Sequence, residues 1–117
     1  MKLRLLFSCI AMIGLSGCNS DTPKCNSDEA KNLVVDIARK PYIAASKREP
    51  DYDMPSIIVN NVRTQQYNAK LDIYLCEADI SFTYKKYTEL NSSRPITYRI
   101  QKTDDNNGQF YINVFGL

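Results

Sequence analysis

The stretch Lys70–Lys85, KLDIYLCEADISFTYK, constrains the fold more than any other part of the chain. Apolar and polar residues alternate along it, the period-2 pattern of a half-buried β-strand. The phase changes midway. Leu71, Ile73 and Leu75 share one parity, whereas Cys76, Ala78, Ile80, Phe82 and Tyr84 share the other. A slip of one residue moves every side chain to the opposite face, so the switch predicts a β-bulge or bend near Leu75–Cys76 in a long curved strand. A strand of this kind cannot stand alone, and its neighbours are legible. Ser56–Gln66 (SIIVNNVRTQQ) is rich in β-branched residues. Ile96–Thr103 and Gln109–Phe115 flank the turn signal Asp104-Asp105-Asn106-Asn107-Gly108 and read as a hairpin. In it Ile96, Tyr98 and Ile100 face Phe110, Ile112 and Val114, or the register is offset by two. Lys86–Pro95 reads as a polar loop.

Ahead of the strands lies one amphipathic helix. Ser27 is placed as its N-cap, with Asp28 and Glu29 in the first turn, where the helix dipole favours acids. Ala30, Leu33, Val34, Ile37 and Ala38 recur at helical spacing, with Asp36, Arg39 and Lys40 facing away. Pro41 limits regular continuation, although Tyr42–Lys47 can form a further turn or two after a kink. Lys47–Pro55, charged and with two prolines, connects helix to sheet. The expected fold class is therefore α+β: one N-terminal helix packed on a curved four-stranded antiparallel sheet in a single small domain. This element order, with its bend in the second strand, resembles the cystatin-like and nuclear-transport-factor-like folds. In those an N-terminal helix lies in the concavity of a curved sheet. The resemblance lends no function, because one fold serves many tasks.

The first residues are of a different kind. Lys2 and Arg4 precede an apolar run, Leu5–Leu15 (LLFSCIAMIGL), too short for the roughly twenty residues that span a bilayer as a helix. A charged start, a short apolar core and small residues at its end describe a secretory signal peptide. The ending Leu15-Ser16-Gly17-Cys18 resembles the lipobox of bacterial lipoproteins: a Leu, two small residues and a Cys. The resemblance implies cleavage before Cys18, a diacylglyceryl thioether on its sulfur and an acyl chain such as palmitate on its new amino group. It divides the chain into a signal peptide (1–17), a lipidated Cys18 with a short tether (18–26) and the α+β domain (27–117). Asn19, where an Asp would hold the product in the inner membrane, implies sorting to the outer membrane on its periplasmic side.

Two consequences follow from that cleavage. The formal charge of +2 disappears with Lys2 and Arg4, leaving 13 basic against 13 acidic side chains. A balanced domain gives no electrostatic reason to expect nucleic acid as a partner. Of the four cysteines, Cys9 leaves with the signal peptide and Cys18 carries lipid. Cys25 and Cys76 then remain in an oxidising compartment, where they are expected to form a disulfide.

A search for chemistry returns mainly absences. The chain has no histidine, so Ser-His and Cys-His pairs and the usual zinc ligand sets are missing. Its four glycines are scattered and build no phosphate loop. The carboxylate pairs Asp51/Asp53, Glu77/Asp79 and Asp104/Asp105 read as solvated charge. The turn that holds the last pair lacks the length and the bidentate glutamate of a calcium loop. We expect no enzyme activity, no metal and no cofactor. Tyrosine is the one excess, with eight residues and no tryptophan. Tyr84-Lys85-Lys86-Tyr87, which closes the long strand, is the candidate contact surface, since tyrosine is favoured at interfaces. The expected function is a membrane-tethered, non-enzymatic binding or accessory module for another envelope protein. The alternative is a small-ligand binder that uses the concave space between helix and sheet.

Overall fold

The structure, a computed structural model, describes residues 21–104 and 109–117. The expected signal peptide, Cys18 and most of the expected Asp104–Gly108 turn lie outside the described residues. The element order is a helix α1 (Asp28–Arg48), strands β1 (Ser56–Asn68) and β2 (Ile73–Thr83), a short 3-10 turn (Thr88–Leu90), and strands β3 (Ser92–Lys102) and β4 (Phe110–Phe115). Ser27 caps α1 as its sequence predicts: its Oγ accepts the Ala30 N–H at 3.2 Å. Asp28 and Glu29 occupy the first turn, and Lys47 and Arg48 the last, matching the dipole at both ends. The helix runs on through Pro41 to Arg48. Packing supplies the reason: Tyr42, one residue past the proline, sets its ring 5.7 Å from that of Phe82 and holds the last turns against the sheet.

The four strands form one antiparallel meander in the order β1-β2-β3-β4. The bulge expected in β2 is instead in β1. From Tyr74 to Phe82 the β2–β3 ladder has no register shift. The β1–β2 ladder shifts between Asn60 and Arg63 and again between Thr64 and Gln66, the second directly opposite Leu75–Cys76. The extra residues are thus on the neighbouring strand, where Asn61 takes a left-handed φ of 54° that asparagine tolerates better than most. The apolar residues of odd parity, Leu71, Ile73 and Leu75, do not rejoin the core. They stay on the sheet face away from the helix.

The loop expected over Lys86–Pro95 is also shorter than its composition suggests, because β3 begins at Ser92 and takes in Pro95 opposite Asp79. Proline is tolerated there because β4 ends at Phe115, paired with Thr97, so β3 is itself an edge strand at Pro95. The hairpin adopts the register offset by two: Tyr98 lies opposite Val114, and Ile100 opposite Ile112.

One apolar core joins helix to sheet. Ala30, Val34 and Ala38 pack on Ile57, Val59, Ala78, Ile80, Phe82, Ile96, Tyr98, Ile100 and Ile112. The even residues of β2 and β3 face inwards, and the odd ones form the open face. Among the described residues no helix is long and apolar enough to cross a membrane.

Candidate functional site

Cys25 and Cys76 are joined by a disulfide with their Cα atoms 5.7 Å apart. It ties the segment before α1 to the middle of β2. Beneath it the Tyr98 hydroxyl, from β3, donates to the Cys25 carbonyl at 2.8 Å. Both residues are fully enclosed, and burial pushes the Tyr98 phenol up to about 12.

A second tie fastens the same segment further out. Asp72, at a left-handed φ of 56° in the β1–β2 turn, is a hub. Its Oδ2 accepts the Thr22 N–H at 2.8 Å and lies 3.3 Å from the Lys102 ammonium. Its Oδ1 accepts the Tyr67 hydroxyl, also at 2.8 Å. Partial burial would raise the Asp72 carboxyl, but the Thr22, Tyr67 and Lys102 hydrogen bonds together outweigh it, and the net direction is down. The same bond pushes the Tyr67 phenol up to about 12, since ionisation would abolish its donor. Tyr67 also stacks on Tyr74 with centroids 4.4 Å apart.

The candidate surface Tyr84-Lys85-Lys86-Tyr87 is divided by the fold. Tyr84 packs partly against the core beside Tyr42, and its phenol is raised first by burial and then by that neighbour. Lys85, Lys86 and Tyr87 are exposed, with the Lys86 ammonium 5.4 Å from the Tyr87 ring centroid. Asp53 shapes this loop, because its Oδ2 accepts the N–H groups of Lys86 and Tyr87 at 3.0 and 2.9 Å. The result is an open cleft of about 640 Å³ beside the end of α1, walled by Tyr52, Tyr84, Tyr87 and Leu90 and flanked by Arg48 and Lys86.

The other surface lies on the open face of the sheet. Glu77 there is held by Arg63 at 3.2 Å and Gln65 at 2.8 Å, and Asp79 by Asn61 at 2.9 Å. These acids are therefore engaged within the face. Next to them two shallow clefts of about 310 and 410 Å³ share Leu75 and Arg99. Leu71 and Ile73 wall one, Thr97 and Phe115 the other. Leu71 and Phe115 are 61% and 60% exposed, high for large apolar side chains. The Arg99 side chain has no ion pair or hydrogen bond among the described residues. The sequence holds a signal for this surface: the off-phase Leu71, Ile73 and Leu75, which read as core residues past a bend.

Among the described residues no group of three or more Cys, Asp or Glu side chains is placed to hold a metal ion. Comparison with known proteins finds no matching family model, no matching curated protein and no matching solved structure.

Proposed function

We propose that this chain is an outer-membrane lipoprotein, anchored through Cys18 and facing the periplasm, that acts as a small non-enzymatic binding or accessory module for another envelope component. The observation that carries the binding part is the contrast between the two sheet faces. The helix side is filled by apolar side chains, whereas the opposite side leaves Leu71, Leu75 and Phe115 exposed around Arg99, whose side chain is unpaired among the described residues. An uncovered apolar surface with a guanidinium that has no partner among the described residues suits a protein partner that brings a carboxylate flanked by apolar groups. The acids of the strand face and of the Asp53 loop already accept hydrogen bonds within the fold, which supports a binding role over a catalytic one. The small-ligand alternative places its ligand between helix and sheet, where Val34, Ile80 and Tyr98 are buried in the apolar core, and this supports the surface reading over it.

The anchor is tested by replacing Cys18 with serine in the full-length chain. The variant should accumulate as uncleaved precursor or be released from membranes, and a mature, membrane-bound C18S product would overturn the anchoring. The contact face is tested by crosslinking in intact envelopes from photoreactive residues at Leu75 and at Tyr87. A partner captured from Leu75 and lost in Arg99→Glu supports the open face. Capture from Tyr87 alone would move the contact to the Tyr84–Tyr87 loop.

A further inference from the structure

The two edges of the sheet differ in how well they are protected. Free strand edges invite pairing with another strand, and bulges, charges and prolines are the usual defences. The β1 edge has them: two register irregularities, Arg63, and the left-handed Asn61. The β4 edge has none. Its sequence, FYINVF, carries no charge and no proline, and its ladder with β3 runs from Phe110 to Phe115 without a shift. The other three strands each carry at least one charged side chain.

Its backbone polarity follows from the ladder. Thr103 N–H donates to the Gln109 carbonyl at 3.0 Å, which makes that pair a hydrogen-bonded one. Antiparallel pairs alternate, so Tyr111, Asn113 and Phe115 direct their N–H and C=O groups to β3. Phe110, Ile112 and Val114 direct theirs outwards, and no bond to that edge exists among the described residues.

We propose that β4 pairs antiparallel with β4 of a second copy of this chain about a two-fold axis at Asn113, joining the two sheets into one. The occupant is argued from self-complementarity. In this register Ile112 lies opposite Val114 of the second copy, and their outward N–H and C=O groups exchange both ladder bonds, which the two-fold repeats. On the open face Tyr111 lies opposite Phe115 of the second copy, bringing together aromatic residues that are 42% and 60% exposed in the single chain. Charge is compatible as well. A two-fold sets each residue against its own kind, and a neutral strand meets no self-repulsion. The nearest like charges at that level are Arg99, which is opposite Asn113 on β3, and its symmetry mate. They are three strand spacings apart, roughly 14 Å, beyond the Debye length of about 8 Å at physiological ionic strength. A six-residue edge is a small interface. Confinement on a membrane raises its occupancy, a point that rests on the proposed anchor; the pairing itself does not.

The test uses the full-length chain in cells, with Asn113→Cys introduced. Asn113 falls on a non-hydrogen-bonded pair, whose Cα atoms are about 4.5 Å apart, within the range a disulfide spans. Mild oxidation of envelopes should give a covalent dimer of twice the chain's mass for N113C. Lys85→Cys, exposed and remote from β4, should stay monomeric; it also controls for any free thiol at Cys18. The register is read from two further pairs in the N113C background. Tyr111→Lys with Phe115→Lys should lower dimer yield at least tenfold, and Tyr111→Lys with Phe115→Glu should restore it, because opposite charges then face each other across the axis. Equal yields from N113C and K85C would overturn the proposal. So would an equal loss in both charge pairs, or a crosslinked product of a mass other than twice the chain, which would give the edge to a strand of another protein.

Discussion

Replacing Tyr98 by phenylalanine removes one oxygen and, with it, the hydrogen bond that ties β3 to the segment before α1. The hydroxyl donates to the Cys25 carbonyl at 2.8 Å, with Tyr98 1% and Cys25 0% exposed. Phenylalanine fills the same space, so no cavity forms. The cost is that of leaving a buried carbonyl without this donor, about 1–3 kcal/mol. At the middle of that range, and at roughly 4–8 °C per kcal/mol for a domain of this size, Tm falls by roughly 8–16 °C. The disulfide sharpens the prediction, because it fixes Cys25 in place and prevents its carbonyl from turning to water. In a Cys25→Ala/Cys76→Ala background the segment can move, so Tyr98→Phe should cost less there, and a double-mutant cycle should show the two losses to be less than additive. Urea unfolding of the four proteins, followed by tyrosine fluorescence, measures it. A second readout is alkaline stability. Burial raises the folded-state phenol to about 12 above an unfolded value near 10, so its contribution is complete below pH 10 and is lost as pH rises through 12. The Tyr98→Phe protein should lack that share of the alkaline loss. A Tyr98→Phe cost below about 0.5 kcal/mol, the range of surface substitutions, with no coupling to the disulfide, would refute the reasoning.

Removing the disulfide alone by Cys25→Ala/Cys76→Ala frees a loop with a sequence separation of 51, which in the chain-entropy model costs roughly 4 kcal/mol. Reductant added to the parent should give a similar shift in the urea midpoint, and a loss under about 1 kcal/mol would contradict that model. For Asp72→Asn the sign is that of a lowered carboxyl: the stability from Asp72 is present above its unfolded pKa near 3.9 and lost as pH falls through its folded value. The parent and D72N should therefore differ at pH 7 and converge as pH falls from about 5 towards 2; a constant gap would assign the acid dependence elsewhere. Gly116→Ala meets a φ of 98° and places a Cβ 3.0 Å from the Pro95 carbonyl oxygen, so we expect a loss of about 1–2 kcal/mol in urea unfolding.

Local chemistry made much of the fold legible. Ser27, Asp28 and Glu29 announce the start of α1, and period-2 alternation with the Asp104–Gly108 turn announces the last hairpin, because caps, turns and pleats are decided within a few residues. The absence of histidine is an equally local fact, and it restricts the available side-chain chemistry before any folding is considered. The Cys25–Cys76 bridge could be reasoned from the number of cysteines left after the expected cleavage, without knowledge of distance.

Other features depend on groups far apart in the chain and emerge only when the strands pair and the helix packs. A phase change in β2 reads the same whether the extra residues sit in that strand or in its neighbour; pairing placed them in β1 and left Leu71, Ile73 and Leu75 on the open face. Pro95 looks like a strand breaker until β4 is seen to stop at Phe115 and free that edge. Asp72 is one acid in a polar turn by sequence, and a hub only because Thr22, Tyr67 and Lys102 converge on it from separate elements. Which side of the sheet the helix covers, and hence which apolar residues remain exposed, is likewise a property of packing. Sequence sets what each segment can be; the register and the covered face follow from the summed burial of side chains that meet only once the chain has folded.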